Sequence, residues 1–473
     1  MSELRWWKKA YAASVLCVAT AIAAQGQTFT TLAKFNGSNG AEPDLMSLIQ
    51  GADGNLYGTT EAGGSEQAGT IFGLRASGKL TDAHSFAGPD GSMPYAGLLL
   101  ASDGNFYGTT GGGGHCGGCG TIFKISPSGN LTTVYIFCEQ TYCPDGRAPY
   151  GKLVQGVDGD IYGTTFYGGT SILCPSGCGT VFRFSLTGTF TTLHSFDAYD
   201  GAGPFAGLAQ GLDGNFYGTT SYGSADIAGT VFVITREGQL TSLYFFSDPY
   251  GPAGTLTLGR DGEFYGTTAE GPGYGSVFKI NAKGSLTILH SFNDTDGAFP
   301  YTQLVLGTDG HFYGATSYGG GGACQGGCGT IFSMTSSGSL TTLHTFDGAD
   351  GMHPMGGMVQ DADGTFYGTT FAGGDSKCDA PNGCGTVFSL DMGLSPFVTF
   401  VQAAGKVGQT GGILGQGFTG ATSVSLNGIP VSFTVKSDTF IEATVPPGAT
   451  TGYVTVTTPS GTLTSNVPFH VIK

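Results

Sequence analysis

An all-β fold is predicted: a seven-bladed β-propeller closed by its own N-terminal strand, followed by an Ig-like β-sandwich. Three observations carry that prediction. The octet Asp-Gly-Asn-Phe-Tyr-Gly-Thr-Thr at 103–110 recurs in close copies beginning at Asp53, Asp158, Asp213, Asp261, Asp309 and Asp363. A period of roughly 50 residues marks a propeller or a solenoid. Two further motifs keep that period. One is a Thr-rich strand beginning at Phe29, Leu80, Leu131, Phe190, Leu240, Leu286 and Leu340. The other is Gly-Thr-Ile/Val-Phe, beginning at Gly69, Gly120, Gly179, Gly229, Gly329 and Gly385, with Gly275-Ser-Val-Phe as a variant. Finally, the repetition stops near Ser395, and short alternating strands with Asn427-Gly428 and Pro459–Gly461 turns take over.

Taken in order, the chain opens with Arg5, Lys8 and Lys9, then an apolar core from Ala10 to Ala24 too short to span a membrane comfortably. Ala21-Ile22-Ala23 supplies a small-x-small cleavage pattern, so residues 1–24 are expected to be an export signal. Residues 28–391 are the repeats. Each holds a short apolar run, Phe-Tyr-Gly-Thr-Thr, Gly-Thr-Val-Phe and the Thr-rich strand, which makes four antiparallel strands. Phe106 and Tyr107 point to opposite faces of their strand, as a sheet packed between two neighbours requires. The chain starts with a Thr-rich strand and ends its repeats without one. Strand 29–35 is therefore expected to complete the seventh sheet and close the ring, removing two open edges. Residues 392–404 are expected to be a linker and 405–473 the sandwich.

The loops sort onto two faces. Asp-Gly and Ser-Gly turns fill one face uniformly, since Gly accepts positive φ in a tight hairpin. The other face carries the variable loops, among them 111–120 and 318–329. Variable loops on a rigid frame are where binding usually resides.

Composition narrows the function. Only 11% of residues are charged and the formal net charge is −16, which argues against a nucleic-acid partner. No apolar run after the signal is long enough for a transmembrane segment. Ten cysteines beyond Cys17 fall into close pairs: Cys116/Cys119, Cys138/Cys143, Cys174/Cys178, Cys324/Cys328 and Cys378/Cys384. An even number beside an export signal favours local disulfides that pin surface loops.

The candidate sites are few. Tyr167, Tyr222, Tyr318 and Phe371 follow the second strand and should emerge on the variable face, where aromatic planes suit a neutral sugar. Packing beneath their own loops is the alternative. Asp294, Asp296, Asp347 and Asp350 lie in Asp-rich loops that present hard oxygens, so calcium is the one candidate metal; Asx turns are the other reading. His84, His194, His290 and His344 share a position with Tyr135 and Tyr244, which suggests a hydrogen-bonding slot. Tyr107 and its six counterparts recur too strictly for a unique site and read as packing. No paired acids, Gly-x-Ser-x-Gly or His-Glu-x-x-His point to catalysis.

Asp-Gly-Asn-x-Tyr-Gly-Thr-Thr followed by Gly-Gly and Gly-Thr-Val-Phe resembles the GloVer tandem repeat of exported bacterial proteins. The resemblance implies an extracytoplasmic location, and it brings no catalytic residues. Gly415-Gln-Gly-Phe418, Asn427-Gly428, Val445-Pro-Pro-Gly448 and Gly452-Tyr-Val-Thr-Val456 resemble an IPT/TIG domain, which implies an Ig-like module used for binding or spacing. The expectation is a secreted or surface protein with no cofactor. Its variable face would bind a glycan or a protein partner, in a non-catalytic binding, adhesion or scaffold role. The alternative is an exported propeller enzyme, a lyase or hydrolase acting on polysaccharide.

Overall fold

Seven four-stranded antiparallel sheets account for residues 28–391. In the second sheet the strands are Leu99–Leu100, Phe106–Thr110, Thr121–Ile125 and Leu131–Ile136, in that spatial order. The computed structural model describes residues 26–472 except 76, 116, 224–227, 248–250, 270–272, 323 and 380. The expected export signal at 1–24 lies outside these residues. The described residues contain no helix, and so none long and apolar enough to cross a membrane.

The N-terminal strand Thr28–Lys34 pairs with Thr386–Asp391 and completes the seventh sheet, as its sequence phase predicts. It also reproduces a local irregularity. The outermost strands of the other six sheets bulge against their neighbours, as between Ile122 and Phe123, and this strand bulges between Thr31 and Ala33. A bulge sharpens local twist, so the segment fits the slot of its six counterparts. Phe29 stacks on His344 at 3.7 Å, and Phe35 is wholly buried against Phe72.

The repeated octet explains the packing. Asp103 accepts hydrogen bonds from Asn105 Nδ2 at 2.9 Å and from the Tyr107 hydroxyl at 3.0 Å. The same Tyr-to-Asp bond recurs in all seven sheets. Burial first, and this hydrogen bond second, push Tyr217 up to about 12. The ring itself reaches the next sheet: Tyr162 stacks on Phe216 at 4.0 Å, Tyr217 on Phe264 at 4.2 Å and Tyr265 on Phe312 at 4.0 Å. Gly163 lies directly under the Phe182 ring, which a Cβ there would strike. The second Thr of the octet bonds the Thr of the third strand, for example Thr165 to Thr180 at 2.8 Å. Gly201, at φ 120°, sits against the corresponding Thr220/Thr230 pair, where a side chain would collide. Each repeated residue thus has a packing task. Burying one such aromatic contributes about 1.5–3 kcal/mol.

The tail forms two four-stranded sheets and one parallel pair, Ala404–Lys406 with His470–Ile472. Ile413 and Ile441 from one sheet share a core with Val424, Leu426 and Val456 from the other, around Phe418. Its first strand, Thr399–Phe400, falls within the stretch expected to be a linker. The tail docks on the Asp-Gly turn face of the repeats. Thr439 Oγ1 donates to Ala52 O at 2.7 Å, Phe397 N to Ala362 O at 3.0 Å, and Gln402 Nε2 to Gly156 O. Leu414, Val401 and Phe440 enter the same core as Tyr57 and Phe106. One end of the ring is therefore covered by the tail, and among the described residues the variable loop face is left open.

Candidate functional site

Side chains on the open face are held by backbone before they are held by packing. Tyr222 N donates to Ala202 O at 3.1 Å, and Ala202 N returns a bond to Tyr222 O at 2.6 Å. Arg147 and Tyr167 exchange the equivalent pair in the neighbouring sheet, at 2.9 and 3.2 Å. The loop after each second strand is thus fastened to the loop that follows the preceding outermost strand.

Between these two fastenings lies a groove of about 480 Å³, lined by Tyr167, Leu173, Tyr199 and Tyr222 with the Cys174–Gly177 turn as one wall. Two of the four aromatics expected at the binding face, Tyr167 and Tyr222, meet here. Tyr318 lies elsewhere, against Phe299 at 5.6 Å and His353 at 4.4 Å. Phe371 also lies outside the groove, next to the same His353, its N–H bonded to His353 O at 3.0 Å. Arg147 sits over the Tyr167 ring at 5.1 Å, a cation–π contact. Behind the groove Phe166 touches Tyr167 at 4.6 Å, Tyr222 at 5.8 Å and Phe205 at 5.7 Å. Phe205 and Phe166 both reach Tyr150, and Tyr150 reaches Tyr95 at 4.8 Å. An aromatic track therefore runs from the groove to the ring's central opening.

Tyr199, 65% exposed, is the ring that sequence reasoning missed. Its loop is built by Asp200, which lies 2.7 Å from His194 Nε2 and also accepts the Asp197 N–H at 2.9 Å. Asp197 in turn accepts the Tyr199 N–H at 3.0 Å. The same construction recurs as His84–Asp90, His290–Asp296 and His344–Asp350, with Tyr135–Asp145 taking its place after the second sheet. The histidine slot is thus a loop clamp. Burial alone would raise Asp200 and Asp350, but hydrogen bonds from His194 and His344 and from backbone N–H groups hold both below the usual carboxylate range.

Of the acids considered for calcium, Asp296 and Asp350 are the clamp residues. Asp347 caps the Ala349 and Asp350 N–H groups at 2.9 and 3.0 Å, and the Asp294 N–H bonds Gly297 O. The two pairs sit in separate loops. No group of three or more His, Cys, Asp or Glu able to hold a metal occurs among the described residues.

Disulfides Cys138–Cys143, Cys174–Cys178, Cys324–Cys328 and Cys378–Cys384 are formed as the spacing predicts. Cys119 is also disulfide-bonded; its expected partner Cys116 lies outside the described residues. The Cys174–Cys178 bridge pins the groove wall itself.

A second set of residues becomes visible only when the repeats are compared at the ring's axis. The residue before the buried Leu or Met of each innermost strand is Ser47, Gly97, Lys152, Gly207, Thr255, Gln303 and Gly357 in turn. Six of these seven line a narrow passage of about 40 Å³ on the open face, rimmed by Tyr150, Phe205, Tyr301 and Met355. Burial pushes Lys152 down to about 8. Nearby on the first sheet, burial raises Asp44 to about 6 and Glu61 to about 7, with Tyr95 hydrogen-bonded to Glu61.

The chain is similar to several solved structures. The chain is 12% identical to an oligogalacturonate lyase solved with manganese, at a TM-score of 0.47, covering 77% of this chain and 96% of that one. It is 12% identical to the extracellular domain of the BT3049 hybrid two-component system from B. thetaiotaomicron, at a TM-score of 0.48, covering 94% and 57%. It is 12% identical to XC5397 from Xanthomonas campestris, described as a gluconolactonase, at a TM-score of 0.38, covering 79% and 92%. No curated protein matches the sequence. The Gloeobacter/Verrucomicrobia repeat, however, matches residues 18–223 and again 208–428, and so spans the repeats and enters the tail. The chain belongs to the Gloeobacter/Verrucomicrobia repeat family.

Proposed function

We propose that the chain is an exported binding protein: a seven-bladed propeller, capped on one end by an Ig-like IPT/TIG module, that takes a glycan in the groove of its open face. The observation that carries this reading is the groove of Tyr167, Tyr199 and Tyr222, rigidly fastened and stapled by Cys174–Cys178. Flat aromatic faces suit the apolar face of a sugar ring, and the Ser176 and tyrosine hydroxyls in the same lining supply hydrogen bonds. The disulfides and the positively charged, then apolar, N-terminus support export. Seven like sheets meeting around one axis support the propeller, and the tail's two sheets around one core support the Ig-like module.

A glycan panel tests the reading, with Tyr199→Ala and Tyr222→Ala beside the unaltered protein. Binding to at least one oligosaccharide, weakened about tenfold or more by each variant, is expected. Equal binding by all three proteins removes the groove from the account.

A protein partner at the same face has one observation in its favour: Ile172 is 95% exposed beside the groove. The polysaccharide-enzyme alternative also keeps one, the raised carboxyls of Asp44 and Glu61 near the opening. Turnover of a polysaccharide that is abolished in Glu61→Gln would replace the binding role with catalysis.

A further inference from the structure

The passage at the open face leads to a second cavity of about 340 Å³ at the ring's axis, and both are lined by Ser47, Lys152 and Gln303. At its far end this inner cavity meets Phe400, Val401, Leu414 and Asn466 of the tail. We propose that it is a binding site for a small organic carboxylate, held by the Lys152 ammonium and the amide of Gln50.

Among the described residues, Lys152 is the one charged side chain in the lining of either cavity. Ser47 Oγ accepts one of its hydrogens at 2.9 Å. An ammonium carries three donors, which leaves two for the cavity. Taking such a cation out of water is costly unless an anion or several acceptors meet it. The repeat makes its placement deliberate: three of the seven axial positions are Gly, and Gly97 lies directly between the Ser47 and Lys152 strands in chain order.

Gln50 is the independent second observation. Three of its six counterparts are also glutamines, and these brace the ring: Gln155 accepts the Ser102 N–H, Gln210 the Val157 N–H and Gln360 the Thr308 N–H of the preceding sheet. Gln50 stands at the closure point, where the preceding sheet continues into the tail. It is 4% exposed, it lines the cavity, and neither its Oε1 nor its Nε2 has a partner among the described residues. Asn466 Oδ1, from the tail, is likewise unpartnered in the same lining. Buried amides in this state favour a ligand that can pair with them.

The balance of groups selects the ligand class. One positive charge with neutral amides suits a single carboxylate. Walls of Leu48, Leu304, Met358 and Phe400 suit a carbon body, and a bare inorganic ion would leave them uncovered. The site lies beneath the passage and is separate from the outer groove.

The test is calorimetric titration of the full chain at neutral pH with acetate, L-lactate and D-glucuronate. D-glucose serves as the neutral arm and inorganic phosphate as the inorganic one. The expectation is saturable binding of at least one carboxylate, with glucose silent and phosphate at least about tenfold weaker. Lys152→Met weakens that binding about tenfold or more, Gln50→Leu weakens it several-fold, and Tyr222→Ala leaves it unchanged. The proposal is overturned if no carboxylate saturates, if phosphate binds as tightly as the best carboxylate, or if Tyr222→Ala matches the Lys152→Met loss. It is equally overturned if Lys152→Met and Gln50→Leu both bind like the unaltered chain. Should Lys152→Met fail to fold, Gln50→Leu alone decides.

Discussion

The two faces of the ring are built from the same seven units and have opposite characters. On one face, Asp-Gly turns repeat with little change, each Asp bonded to its Tyr, and the tail covers them. On the other, the loops differ in length, carry the disulfides and present exposed rings such as Tyr199. Identical residues recur where the task is identical, which is packing one sheet on the next. Residues that break the repeat occur where the task is not shared. Lys152, Gln303 and the groove tyrosines belong to that second class.

Removing residues 26–35 attacks the constant frame where the ring closes. It deletes the outer strand of the seventh sheet, the stack of Phe29 on His344 and the burial of Phe35. Loss of soluble monomer, seen by size-exclusion chromatography, is expected because it opens a strand edge. A monomer with an unaltered melting curve would mean that closure contributes little.

Cutting the Cys174–Cys178 staple by the double Ser substitution probes the variable face. A loop this short gives a cost of at most about 2 kcal/mol in chain entropy, so thermal stability falls modestly. Affinity at the groove falls more, because its wall is released. A large melting shift with intact binding would reverse the assignment.

The His–Asp clamp lies between the two classes, repeated in form yet serving the loops. Asp350 is held below its ordinary 3.8. A lowered carboxyl contributes stability above that pH, and the contribution is lost as pH falls through the folded value. Asp350→Asn should therefore cost about 1 kcal/mol at neutral pH, with the difference closing in acid. Chemical denaturation along a pH series reads this directly; a constant difference would contradict it.

Lys152 carries the opposite sign. Its folded value near 8 lies below the ordinary 10.5. Below about pH 8 both folded and unfolded chains carry the charge, so the cost of burying it is fully present. Between these values the unfolded chain binds more protons, and stability rises with pH. Lys152→Met should stabilise the protein at neutral pH, and the gain should shrink toward pH 10.5.

Much of this architecture was legible in the residues. The octet's period placed the strands, and the phase of strand 29–35 foretold the closed seventh sheet. Tyr167 and Tyr222 were legible because aromatics after a strand and beside glycines emerge at a loop face. What escaped is equally physical. Tyr199 sits in a loop whose shape depends on a clamp six residues apart, His194 to Asp200, and no local pattern announces that its ring is uncovered. Lys152 and Gln50 line one cavity from different sheets, so their sharing it depends on ring closure. Comparison of the repeats position by position would have singled out Lys152, which stands where three counterparts are Gly. The docking of the tail was not written in any motif, since the contacts at Ala52, Gly156 and Ala362 are to backbone carbonyls.

The central claim separates repeated residues that build from unrepeated residues that bind. Tyr217 and Tyr222 are five positions apart and test it as a pair. Tyr217 bonds Asp213 and stacks on Phe264, whereas Tyr222 lines the groove. Melting temperature and glycan affinity should be measured for Tyr217→Ala and Tyr222→Ala side by side. The account predicts that Tyr217→Ala loses about 3 kcal/mol of stability and binds normally where it remains folded, while Tyr222→Ala melts nearly as the unaltered protein and binds about tenfold or more weakly. Equal melting shifts with equal affinities in the two variants would contradict it.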